Sequence, residues 1–257
     1  MSAKKGPPFA SVVPSSAFSS VDGSERRGPI RRSVHTDILG VTSLHGCMTL
    51  YETFRRSASL HPNRPCFGER SIDSTGFAGP FVFRSYSQCA TVIRSLASGF
   101  MKENILATNG DGLKLLGIYM KNCSAWCLAE YACYSINAAT VPLYDTLGPD
   151  TVEFVINQTK LSACVCSSAE LPKLCKVAMH CPSLHYLLLN AAVATSEEIQ
   201  LCRAAGLKLL TLDEIDRIGR AYPSLPSPPN ADNLATFCYT SGTTGDPKGA
   251  LITHKNI

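Results

Sequence analysis

From Leu113 onward, short apolar runs alternate with stretches whose apolar residues recur every three or four positions. Leu113–Met120 (LKLLGIYM), Thr140–Leu143, Leu161–Cys166, Tyr186–Leu189 and Leu207–Leu212 have the length and composition of buried strands. Between them, Trp126–Ala138, Asp150–Thr159, Ala169–His180 and Ser196–Ala205 have helical spacing. Pro149 suits the first turn of the second helix, and Pro182 lies just past the end of the third. Strands alternating with helices predict an α/β fold built on mostly parallel sheets flanked by helices. Leu234–Tyr239 (LATFCY) and Ala250–Thr253 are two further strands.

Ahead of this alternation, Leu50, Phe54 and Ala58 fall on one face of a helix starting near Thr49. Phe67–Arg84, with its glycines and the aromatic alternation of FVFRSY, predicts hairpin strands. Ser85–Lys102 predicts a helix with Ser87 as its cap and Ala90, Ile93, Leu96, Ala97 and Phe100 as its apolar stripe. Tyr222–Asn230 is a Pro/Ser-rich linker or exposed loop. Residues 1–45 are rich in Ser, Pro, Gly and Arg without periodicity, and read as a flexible basic arm. The expected division is this arm, 1–45, followed by a folded part, 46–257.

Composition refines the picture in three ways. The formal net charge of +4 lies entirely in residues 1–35, where six basic residues face two acidic ones; the rest carries eighteen of each. A nucleic-acid-binding domain concentrates its basic residues on the folded body, so nucleic acid is not expected as a partner. Twelve cysteines occur without a CxxC pair. Cys164 and Cys166 sit in an apolar run where alternate residues share one face of a strand, and Cys127 and Cys133 sit in a helical stretch. This spacing favours reduced core thiols over disulfide or metal ligation, and with them an intracellular, reducing compartment. No run of 18 apolar residues predicts a membrane span, and the N-terminus has no signal-peptide h-region.

The candidate chemistry lies between the last two strands, in Thr240-Ser241-Gly242-Thr243-Thr244-Gly245-Asp246-Pro247-Lys248-Gly249. Its glycines permit positive φ and close ligand approach, and exposed backbone N–H groups in such a loop form an anion nest. Thr240, Ser241, Thr243 and Thr244 add hydroxyl donors, and Lys248 adds a mobile positive charge. Pro247 stiffens the turn that aims the lysine. The loop is built to hold phosphate. It is not the P-loop pattern, which requires Gly-Lys-Ser/Thr entering a helix.

YTSGTTGDPKG, Tyr239–Gly249, resembles the phosphate-binding signature of the ANL superfamily of adenylate-forming enzymes, and His254 resembles the histidine that follows it there. VPLYDTLGPD, Val141–Asp150, with TVEFVINQT after it, is similar to a segment of the long-chain fatty acid:CoA ligases, and so are GIYMKNCSAWCLAEYACYSINAAT and TLYETFRRSASLHPNRPCFGER. The likeness covers roughly residues 49–257. It implies an incomplete ANL-type large N-terminal domain, with Thr240, Ser241, Gly242, Thr243, Thr244, Gly245 and Lys248 on the phosphates of ATP. It also implies ATP with Mg2+, CoA as co-substrate, and conversion of a long-chain fatty acid through acyl-AMP to acyl-CoA.

In that family the adenine pocket, the ribose-binding acidic residue, the hinge and the catalytic lysine follow the phosphate loop. None of them is assignable here, no metal ligand is named, and the chain is expected to be inactive alone. Another acid:CoA ligase acting on aryl or medium-chain acids, and a non-catalytic nucleotide-binding product, stay open as alternatives. A fatty substrate allows peripheral contact with a membrane; cytosol, peroxisome and the cytosolic face of the endoplasmic reticulum are not distinguished. The Tyr144–Gly148 segment reads as a strand-to-helix turn, and Trp126, the only tryptophan, as a core anchor.

Overall fold

A computed structural model of the 257-residue chain describes residues 10–12, 31–33, 43, 45–73, 75–144, 150–240 and 247–257. Two compact units divide the chain at Thr42 and Ser43. In the first, β1 (Ala10–Val12) pairs antiparallel with β2 (Arg31–Ser33).

The second unit begins with α1 (Leu50–Leu60), the hairpin β3 (Pro65–Ile72) and β4 (Ala78–Ser85), and α2 (Tyr86–Lys102). Then come β5 (Leu115–Tyr119), α3 (Ser124–Tyr134), β6 (Ala139–Pro142), α4 (Thr151–Thr159), β7 (Ala163–Cys166), α5 (Leu171–Val177), β8 (Tyr186–Leu189), α6 (Ser196–Ala204) and β9 (Lys208–Thr211). The described chain ends with α7 (Leu212–Ala221), β10 (Leu234–Thr240) and β11 (Lys248–Thr253).

Seven strands form one sheet in the order β11-β10-β6-β5-β7-β8-β9, parallel throughout except for β11. The chain lays β6 on one side of β5 and β7, β8 and β9 on the other, the winding of doubly wound sheets. Because the strands are parallel, the loops after β5 to β10 gather along one edge, where such sheets bind ligands.

Each face of the sheet carries its own core. Leu115, Tyr119, Cys164 and Cys166 pack with Val155 and Ile156 of α4, Leu174 of α5 and Cys202 of α6. Leu116, Ile118, Ala163 and Val165 point the other way, into Phe54 of α1, Ile93 and Phe100 of α2, Leu128 and Ala132 of α3 and Ile215 of α7. Every residue of β5 and β7 is buried, which is why these strands are apolar on both faces. The placement of Cys164 and Cys166 on one face follows from the two-residue strand repeat. All twelve cysteines are free thiols and seven are buried.

Several elements differ from the sequence expectation. The helix α2 is capped by Ser85 rather than Ser87: Ser85 Oγ accepts from the Gln88 N–H at 3.3 Å, and Gln88 Oε1 accepts from the Ser85 N–H at 2.7 Å. This reciprocal box satisfies two N-terminal donors at once, which Ser87, already inside the first turn, cannot do. The Ala169–His180 helix divides into α5 and a 3-10 turn over Ala178–His180. The strand after Ala205 stops at Thr211, and α7 follows without a loop. Trp126 is half-buried: it packs against the margin of the second core and also stacks on Tyr144 with ring centroids 6.4 Å apart. Phe81, Val82 and Phe83 of β4 are exposed, whereas Cys66 and Phe67 of the paired β3 pack against the second core. Pro149 lies outside the described residues.

Candidate functional site

The hairpin of β10 and β11 brings together the two ends of the Thr240–Gly249 motif. Thr240, the last residue of β10, pairs with Lys248, the first of β11, and Tyr239 pairs with Gly249. Thr240 and Lys248 are both exposed. Since β10 runs parallel to β6, this end of the hairpin lies on the sheet edge where the strands finish. Ser241, Gly242, Thr243, Thr244 and Gly245 lie outside the described residues, as does Asp246.

The strand leading into the motif is anchored on both faces. Tyr239 is buried, and its hydroxyl donates to Gln158 Oε1 on α4 at 2.5 Å. A Cβ on Gly249 would stand 3.0 Å from the Tyr239 ring, so the glycine is what lets the aromatic ring lie flat beneath β11. On the opposite face, Thr236 Oγ1 lies 3.0 Å from Thr140 Oγ1 and donates to the Thr140 carbonyl at 3.2 Å. Thr140 Oγ1 is 3.3 Å from Glu130 Oε1, which also accepts from the Tyr134 hydroxyl at 2.8 Å. Burial holds the Glu130 carboxyl above its ordinary range, with the two hydroxyl hydrogen bonds pulling partly the other way. Burial and the adjacent Glu130 push the Tyr134 phenol well up.

Further along this face, Cys238 is exposed beside Tyr144; burial first, then the proximity of Cys238 and Glu130, raises the Tyr144 phenol. With the Trp126–Tyr144 stack, these side chains line the sheet edge between β6 and β10.

His254 sits at the other end of the hairpin. It follows Thr253, which pairs with Leu234, so it lies roughly 20 Å along the strand from Lys248. It is buried, its Nδ1 accepts from the Leu50 N–H at 3.4 Å, and its ring stands against Tyr134. Burial lowers its pKa from the ordinary 6.5. Its place is therefore structural: it ties the end of β11 to α1 and α3.

Gln158, Thr140, Thr236 and Glu130 were not singled out by sequence. Their partners lie up to 96 residues away, and no local pattern carries such a contact.

The match to known proteins covers most of the chain. Residues 54–257 fit the model of the AMP-binding enzyme family. The chain belongs to that family, the ANL superfamily. It is 32% identical over 212 residues to long-chain-fatty-acid–CoA ligase 1 of Cavia porcellus, covering 81% of this chain and 29% of that protein. The peroxisomal long chain acyl-CoA synthetase 6 of Arabidopsis thaliana is 32% identical over 209 residues, covering 81% and 29%. The chain spans about a third of the length of the curated relatives it matches. Among solved structures, the A-PCP didomain of carboxylic acid reductase from Segniliparus rugosus, in complex with AMP, superposes with a TM-score of 0.66 at 23% identity, covering 84% of this chain and 33% of that one. The adenylation domain of the Mycobacterium chelonae carboxylate reductase gives 0.66 at 21% identity, covering 83% and 35%. These two likenesses show a shared adenylation-domain fold. No helix among the described residues is long and apolar enough to cross a membrane.

Proposed function

We propose that residues 46–257 supply the phosphate-gripping first part of a long-chain fatty acid:CoA ligase that works through acyl-AMP. The observation that carries this reading is the Thr240–Lys248 closure of the hairpin on the strand-end edge of a doubly wound sheet, in a chain about 30% identical to long-chain ligases. In the proposed site, Thr240, Ser241, Thr243 and Thr244 donate hydroxyl hydrogens to the β- and γ-phosphates of ATP. Gly242 and Gly245 let backbone N–H groups approach them, and the Lys248 ammonium neutralises their charge.

A fatty-acid carboxylate oxygen then bonds to the α-phosphorus, the α–β bridging P–O bond breaks, and pyrophosphate leaves carrying the electron pair. The loop holds that leaving group, so its donors act where charge develops. CoA thiolate next attacks the acyl carbonyl and releases AMP. Mg2+ would accompany ATP and spread the phosphate charge. The exposed hydroxyl and ammonium of Thr240 and Lys248 suit phosphate oxygens rather than a cation, so no residue of this chain is assigned to the metal.

Pyrophosphate exchange into ATP by the full-length parent protein tests the reading, with palmitate, octanoate and benzoate as acids. Exchange strongest with palmitate supports a long-chain ligase. Preference for octanoate or benzoate assigns the site to a medium-chain or aryl ligase, and no exchange with any acid overturns the adenylation reading.

A further inference from the structure

Away from the phosphate hairpin, on the α4–α6 side of the sheet, two thiols meet. Cys175 on α5 and Cys202 on the last turn of α6 bring their sulfurs to 3.7 Å, in van der Waals contact, although 27 residues separate them in sequence. Cys202 is 1% exposed and Cys175 8%, so the pair is held inside the core, with Cys175 nearer the surface. Cys166 of β7 belongs to the same apolar cluster.

The two thiols are not equivalent. Either sulfur can donate to the other. Donation by Cys202 holds the Cys175 thiol below its ordinary value, while the same contact and burial push Cys202 up. Cys175, the more exposed residue of the two, is the one an oxidant reaches first, and Cys202 is its resolving thiol.

We propose that Cys175 and Cys202 form an oxidisable dithiol that hydrogen peroxide converts to an intramolecular disulfide clamping α5 to α6. The Cys175 thiolate attacks one peroxide oxygen: an S–O bond forms, the O–O bond breaks, and the departing oxygen leaves as water after taking up a proton. The Cys202 sulfur then attacks the sulfenic sulfur of Cys175. An S–S bond forms, the S–O bond breaks, and hydroxide leaves as water with the Cys202 proton. Two thiols are oxidised by two electrons, and one peroxide is reduced to two waters. Closing the S–S bond requires the sulfurs to approach from contact to bonding distance, a movement of under 2 Å shared by two helix ends.

The reduced, full 257-residue chain is treated with hydrogen peroxide, alkylated under denaturing conditions and digested without reductant for mass spectrometry. The expected product is a cross-linked peptide pair containing Cys175 and Cys202, two hydrogens lighter than its dithiol form and separated again by dithiothreitol. Cys202→Ser is expected to leave a Cys175 sulfenic acid that dimedone captures, whereas Cys175→Ser is expected to give neither cross-link nor dimedone adduct at Cys202. Circular dichroism confirms that both serine variants are folded. Alkylation of both cysteines after peroxide treatment overturns the proposal. So does a cross-link from Cys175 to Cys166 in place of Cys202.

Discussion

The imidazole of His254 stands edge-on against the ring of Tyr134, with centroids 4.8 Å apart and planes at 78°. The contact closes the end of β11 against α3, and the Leu50 N–H closes it against α1. With Nδ1 accepting, the proton of the neutral ring sits on Nε2, which is buried without a hydrogen-bond partner among the described residues.

This arrangement makes stability depend on pH. The folded pKa of His254 lies below its ordinary 6.5. Well above that value the ring is neutral in both states, and no difference in proton uptake separates them. As pH falls below it, the unfolded chain takes up a proton that the folded chain refuses, and stability drops until the folded value is passed. Urea unfolding at pH 7.5 and 5.5 is expected to show a larger loss for the wild type than for His254→Gln. Equal losses would mean that the ring is not the group responsible.

Glu130 has the opposite sign. Its folded pKa is raised above the ordinary 4.5, so its stabilising contribution is complete below that value and is lost as pH rises through the folded one. Glu130→Gln keeps an acceptor for Tyr134 and Thr140 and is expected to flatten this slope. Glu130→Ala leaves the buried Tyr134 hydroxyl without its acceptor, while Thr140 keeps Thr236, and is expected to cost about 2 kcal/mol more than the glutamine variant in denaturant titration.

The α2–α7 crossing is expected to be intolerant of any side chain at Gly219. A Cβ there would overlap the Ser95 carbonyl of α2, and one on Gly99 would overlap the Ile215 carbonyl of α7. The Ser95 hydroxyl also bonds Asp216 across the same interface. Gly219→Ala must push two helices apart by their backbones, at a cost of about 3 kcal/mol. A urea midpoint unchanged from wild type would show that the helices separate freely.

Lys248 is exposed, and its side chain stabilises little in the folded chain. Lys248→Ala is expected to change folding stability by less than about 0.5 kcal/mol. In the full-length parent it is expected to lower adenylation by about a hundredfold, since it removes one charged donor to the leaving group. Exchange kinetics beside thermal unfolding separate the two effects. An undiminished rate would take Lys248 out of the phosphate site.

Local pattern alone determined the strand–helix alternation, the two faces of β7 and the place of the Gly/Thr-rich motif between β10 and β11, because buried parallel strands and amphipathic helices write their periods directly into the chain. Even α7 was legible in principle: Thr211 and Glu214 form the reciprocal cap that its first turn requires. The buried Leu212 masks it by extending the apolar run of β9. The strand order, the pairing of Thr240 with Lys248, the burial of His254 far from the loop, and the meeting of Cys175 with Cys202 were decided only by the tertiary structure. Each joins segments whose contact depends on how the sheet winds, and a chain's local periodicity fixes which face a residue presents without fixing what that face will meet.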